Sequence, residues 1–147
     1  MKIARVLNLL LLLSIGSIGA YACSCDPPAP QKLFREAHAV FVGEVVDISE
    51  STVPLGKGFP ALSYSVTFKI SKYWKGVKGS EITVHSDLGG LECHQFAFRK
   101  GEKYFVYAFG KDLISITGCT RSGPIDAEYV IEQMKVFGKG KVPRPAA

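Results

Sequence analysis

The sequence predicts a mainly β protein: five short strands closed into a small barrel, with a short helix before them and a longer helix after. Three observations carry that expectation. Apolar residues alternate with polar ones, or run together briefly, in five separate segments. Stretches containing Gly and Pro separate those segments. Only near the C-terminus does the apolar period become helical, through Ile125, Tyr129, Val130, Met134 and Val136-Phe137.

In chain order, Asp26-Pro27-Pro28-Ala29-Pro30 is extended and stiff. Gln31 to Ala37 suits a short helix with Leu33 and Phe34 inward. Val40 to Ile48 reads as the first strand, and Gly43 within it marks a bulge or tight bend. Ser49 to Ala61, with two prolines and two glycines, reads as a loop. Tyr64 to Trp74 alternates apolar and polar residues, as a half-buried strand does. Glu81 to His85 is the third strand, Tyr104 to Phe109 the fourth and Leu113 to Thr117 the fifth. A helix follows from about Asp126 to Phe137; Asp126 and Glu128 at its start and Lys135 near its end suit the macrodipole, and Gly138 is its stop. Residues 138–147 form a basic tail expected to be disordered. The simplest five-stranded solution without edges is a barrel of the oligonucleotide/oligosaccharide-binding type.

The first residues, 1–22, read as a secretory signal. Lys2 and Arg5 precede a short apolar run from Val6 to Leu13, and Ala20-Tyr21-Ala22 is a small-x-small cleavage site. Cleavage there makes Cys23 the first mature residue and 23–137 one ordinary domain, extracytoplasmic, either secreted or periplasmic. The run is too short for a comfortable membrane span and no second one follows, so no membrane anchor is expected. The chain carries 18 Lys+Arg against 13 Asp+Glu, and the surplus shrinks once Lys2 and Arg5 leave. So mild a surplus suits a solvated surface, or contact with polyanions. No basic run is dense enough for nucleic-acid binding.

All four cysteines, Cys23, Cys25, Cys93 and Cys119, lie after the cleavage site. In an exported chain they read as disulfides. A Cys23–Cys25 ring is strained, so two pairings remain open, and both tie the mature N-terminus to distant positions. Each closure is worth about 4–5 kcal/mol at most. Termini are normally loose; this one is held.

Enzyme signatures are missing: there is no Gly-x-Ser-x-Gly, no His-Glu-x-x-His and no phosphate loop. His38, His85 and His94 stand at no metal-ligand spacing, and oxidised cysteines cannot bind zinc. Glu36, Glu44, Asp87 and Glu92 read as solvated carboxylates. The aromatics Tyr64, Phe68, Tyr73, Trp74, Tyr104, Phe105, Tyr107 and Phe109 fill the core, with a carbohydrate platform as the alternative. No enzyme activity and no cofactor are expected, and the chain is expected to be a monomer.

Cys23-Ser24-Cys25-Asp26-Pro27-Pro28-Ala29-Pro30 at the mature start, followed by Val40-Phe41-Val42-Gly43-Glu44-Val45, resembles the N-terminal, netrin-like domain of the tissue inhibitors of metalloproteinases. The resemblance spans about Cys23 to Phe137. It implies the pairing Cys23–Cys93 and Cys25–Cys119. The third disulfide of that domain and the second, cysteine-rich domain are absent, which implies a bacterial or divergent member.

The resemblance also implies a mechanism and a partner, a zinc metalloendopeptidase. A catalytic zinc keeps an open position for water. The α-amine and carbonyl oxygen of Cys23 would chelate that zinc and displace the water, leaving the sulfur as an anchor. Ser24 would enter the protease's primary specificity pocket; Cys25, Leu91 and Glu92 would extend the contact. Two further readings stand beside this one. A netrin-like binding module would use Lys69, Lys72, Lys75, Lys78 and the tail to hold polyanions or envelope components. A lipoprotein would carry acyl chains on Cys23, although Ala20 and Tyr21 match the usual Leu-small pair poorly; acylation and zinc chelation exclude one another.

Overall fold

The computed structural model describes residues 26–55, 59–87, 98–116 and 118–144. Helix α1 spans Pro30–Glu36. The strands are β1 Ala39–Leu55, β2 Phe59–Lys75, β3 Glu81–Asp87, β4 Lys103–Ala108, β5 Ser115–Ile116 and β6 Gly123–Pro124, and α2 spans Glu128–Phe137. The class is mainly β with two helices among the described residues, as the alternation predicts. These strands form one mixed sheet in the order β5-β3-β2-β1-β4-β6. Among them only the β3–β5 pair is parallel.

This sheet is not closed, which corrects the expected five-stranded barrel. β5 is two residues long, too short to form a ladder on both of its sides. Beside β4 stands β6 instead, equally short and ending at Pro124, which has no N–H to continue a ladder. Among the described residues, β5 meets the chain just past β4 through an isolated bridge. Phe109, just past β4, exchanges two 2.8 Å hydrogen bonds with Ser115. Gly110, at φ 90°, lies against the Leu113 carbonyl and allows the tight return between them.

A second correction concerns the expected loop from Ser49 to Ala61. β1 and β2 continue through most of it as a hairpin, paired from Ser49↔Ser65 out to Leu55↔Phe59. Pro54 and Pro60 face one another in that register. β4 pairs with β1 only over Ala39–Glu44, and β3 pairs with β2 only over Ser63–Lys69 and its partners. The outer hairpin is therefore a two-stranded ribbon, where proline interrupts no third strand.

Alternation assigns the side chains to two cores. On one face, Phe41 of β1, Phe68 of β2, Val84 of β3, Tyr104 and Val106 of β4 and Ile116 of β5 pack together. On the other face, Val40, Val42, Phe105 and Tyr107 pack under Leu33 of α1 and Val130 of α2. β4 is thus covered on both sides, which accounts for its unbroken run Tyr104-Phe105-Val106-Tyr107-Ala108. Each large side chain so buried contributes about 1.5–3 kcal/mol. Of the expected core aromatics, Phe68, Tyr104, Phe105 and Tyr107 are fully enclosed, and Tyr64, Tyr73, Trp74 and Phe109 are half-buried against the cores.

Gly43 sits at a register shift of β1, and a Cβ there would stand 2.9 Å from the Phe68 Cβ, so the bend expected at this glycine is present. Both helices fall where the sequence places them. Lys75 ends α1 by donating to the Phe34 and Arg35 carbonyls at 2.9 and 2.8 Å. Gly138, at φ 72°, ends α2. The segment expected to be a disordered tail lies along β2 as far as it is described. Lys141 exchanges hydrogen bonds of 2.8 and 2.7 Å with Tyr73, and the Trp74 indole donates to the Gly138 carbonyl at 3.1 Å. Among the described residues no helix is long and apolar enough to cross a membrane.

Candidate functional site

Cys23, Ser24, Cys25, Leu91, Glu92 and Cys93 lie outside the described residues. The described chain next to them in sequence begins at Asp26, stops at Asp87 and resumes at Phe98. Cys119 is disulfide-bonded and sits in the turn between β5 and β6. Asp26 to Ala29 runs into α1, whose first turn forms as the Lys32 and Leu33 amides donate to the Ala29 carbonyl at 2.9 and 3.1 Å. The link between these regions is Arg121. Its Nε donates to the Pro28 carbonyl at 3.1 Å, across 93 positions of sequence.

Arg121 belongs to a polar network built by β4 and α2. Gln133, 3% exposed, projects from α2 into the helix-side core. Its Nε2 donates to the Arg121 carbonyl at 3.1 Å and to the Tyr129 carbonyl at 3.0 Å. Its Oε1 accepts from the Tyr107 hydroxyl at 2.9 Å. The neighbouring Ser122 Oγ accepts from the Tyr107 amide at 2.9 Å and from Thr120 Oγ1 at 2.8 Å. Tyr129 closes the far side by donating from its hydroxyl to the Ser122 carbonyl at 3.1 Å. Gly123 permits this, because any Cβ there would overlap the Tyr129 hydroxyl. Burial pushes the Tyr107 phenol far up, with the Arg121 charge opposing it more weakly. Burial raises the Tyr129 phenol as well.

The helices brace this network. Phe34 of α1 stacks on Phe137 of α2 with ring centres 4.8 Å apart, and Leu33 is buried in the same core. The chain leaving α1 toward the N-terminus is therefore fixed through Pro28 and through the packing of the helix itself.

The other sequence candidates are scattered. His38 is exposed at a cleft of about 250 Å³ shared with Gly76, Val77, Lys78, Gly79, Glu81, Ile82 and Ile114. His85 lies on β3, its Nδ1 3.3 Å from Ser65 Oγ and 3.5 Å from Ser51 Oγ. His94 lies outside the described residues. Glu36 ends α1, and Glu44 is paired in register with Lys69 of β2. No group of three or more His, Cys, Asp or Glu side chains able to hold a metal exists among the described residues.

The four lysines of the polyanion reading lie on β2 and its following turn, with Lys72 exposed on the strand. Lys69 is flanked in register by Glu44 and Glu81, Lys75 is committed to α1, and Lys78 stands at the cleft. Arg121, Ser122 and Gln133 are the residues that sequence reasoning passes over. One signal was present: Gln133 stands between Val130 and Phe137 at helical spacing, a polar residue on an apolar face.

Comparison with protein-family models and with curated proteins finds no match to this chain.

Proposed function

We propose that this chain is an exported inhibitor of a zinc metalloendopeptidase, acting through the free α-amine and carbonyl of Cys23. The observation that carries the reading is the hold of Arg121 on Pro28, in the segment that follows the N-terminal cysteines. Arg121 fixes Pro28, and two residues earlier Cys119 is in a disulfide, which the reading assigns to Cys25. A segment used as a rigid wedge needs such a hold, because ordering lost before binding need not be lost on binding. The reading assigns Cys93 to Cys23, which places Leu91 and Glu92 beside the chelating residue, with Ser24 directed to the specificity pocket.

Chelation requires the neutral amine. An α-amino group titrates near pH 8, and zinc displaces its proton readily at neutral pH. The decisive experiment compares correctly processed protein with a form carrying one residue before Cys23, against a panel of zinc endopeptidases. Inhibition by the native form and its loss in the extended form support the reading. Equal inhibition by both forms overturns chelation. The polyanion-binding module is the outcome if neither form inhibits and the protein is retained on acidic polymers in a steeply salt-dependent manner.

A further inference from the structure

We infer that Gln133 and Arg121 are positioning residues for the N-terminal segment: the buried amide of α2 sets the Arg121 backbone, and the Arg121 guanidinium sets the direction in which the chain leaves the body toward Cys23. This deepens the inhibitory reading and rests on it for its functional consequence, though not for its structural content.

Chemistry of the segment makes an arginine necessary. Pro27, Pro28 and Pro30 have no N–H, so hydrogen bonds can tie this stretch to the body mainly through its carbonyls. The body must then supply a donor. Arg121 supplies one that is always charged and rigid in its donor geometry. The proposed function assigns Cys119 to Cys25, a bond that would fix one point of the terminal segment. The Pro28 contact fixes a second point, and two points define a direction.

Arg121 can do this only if its own backbone is fixed, and the network does so at successive residues. Cys119 is bonded covalently, Thr120 donates to Ser122, the Arg121 carbonyl accepts from Gln133, and Ser122 accepts from the Tyr107 amide. Gln133 is suited to the task because one side chain donates twice and accepts once. Its cost is a buried amide in an apolar core, which is tolerated only because those bonds are made. A hydrocarbon would pack as well there and would leave the Arg121 carbonyl unheld.

The test measures backbone order by ¹⁵N relaxation at the Asp26 and Ala29 amides of the processed protein, together with protease inhibition. The variants are Arg121→Ala, Arg121→Lys, Gln133→Met and, as a comparator, Tyr104→Phe, whose hydroxyl bonds to Glu102 and the Arg99 amide elsewhere. In Arg121→Ala and Gln133→Met the order parameters should fall from about 0.85 to below about 0.6. Arg121→Lys, which keeps a charged donor on a flexible stem, should regain part of that order, and Tyr104→Phe should leave it unchanged. Unaltered order at both amides in Arg121→Ala overturns the positioning role; should Gln133→Met fail to fold, this arm alone decides. Loss of order in Arg121→Ala, with native protein that inhibits no protease, upholds positioning and removes the inhibitory reading instead. Native protein that inhibits, with a disordered Arg121→Ala form that inhibits equally well, overturns the functional consequence.

Discussion

Arg121 and Pro28 are 93 residues apart in sequence and meet through one 3.1 Å hydrogen bond, guanidinium Nε to carbonyl oxygen. That contact joins the segment after Cys119 to the start of the described chain. It carries the structural side of the proposed function, and the predictions below separate it from the stability of the rest of the fold.

Adding one residue before Cys23 should abolish inhibition. The extension turns the α-amine into an amide, a poor metal donor, and puts atoms where the zinc would sit. The extension changes no side chain of either core, so thermal denaturation should shift by less than about 1 °C, as for a surface change with negligible free-energy effect. Inhibition assays and calorimetry on the same two samples check both halves.

Tyr107→Phe should cost about 1–3 kcal/mol in urea denaturation, because the Gln133 Oε1 loses its donor inside the core. Gln133→Leu should cost at least as much, since it leaves both the Tyr107 hydroxyl and the Arg121 carbonyl without this partner. The double variant should cost less than the sum of the two, because each single change breaks the same bond.

Gly76→Ala and Gly101→Ala should differ sharply. Both glycines have positive φ, 70° and 85°. At Gly101 a Cβ meets nothing within 4 Å, so only backbone strain of about 1–2 kcal/mol is expected. At Gly76 the Cβ would collide with the His38 carbonyl, which is backbone and cannot rotate away. Equilibrium unfolding should rank Gly76→Ala as clearly the more damaging of the two.

Stability should fall as the solution becomes strongly alkaline. Tyr107, Tyr104 and Tyr129 are all raised above the ordinary value of 10.0, first by burial; for Tyr104 the hydrogen bond to Glu102 adds to it. Below pH 10 these phenols are protonated in both states and their contribution is fully present. Above it the unfolded chain releases protons that the folded chain retains, so stability declines with rising pH until the folded values are reached. Denaturation followed from pH 8 upward checks the slope, and Tyr107→Phe should make it shallower.

Much of the architecture could be read before any coordinates. α1 and α2 follow from the inward pair Leu33 and Phe34 after the proline segment, the apolar spacing from Tyr129 to Phe137 and the glycine stop at Gly138. β3 and β4 follow from local alternation and from the apolar run at Tyr104. The hairpin beyond Ser49 was hidden because its prolines and glycines read as loop, whereas pairing between two long strands overrode those local preferences. The open sheet was hidden too, since closure depends on how many residues of β5 find partners on each side, and no local pattern encodes that number.

By itself the sequence determined the charged and then apolar start, the four cysteines after it, the stiff proline segment and the β-rich class, because composition, spacing and period are local properties of a chain. Only the tertiary structure decided that Arg121 reaches Pro28, that Gln133 is buried beneath it, that the basic segment at Lys141 lies on Tyr73 and that Phe109 bridges to Ser115 where a barrel would have closed. Each of these joins residues brought together by the fold, and their partners are chosen by the packing of whole strands and helices rather than by the residues beside them.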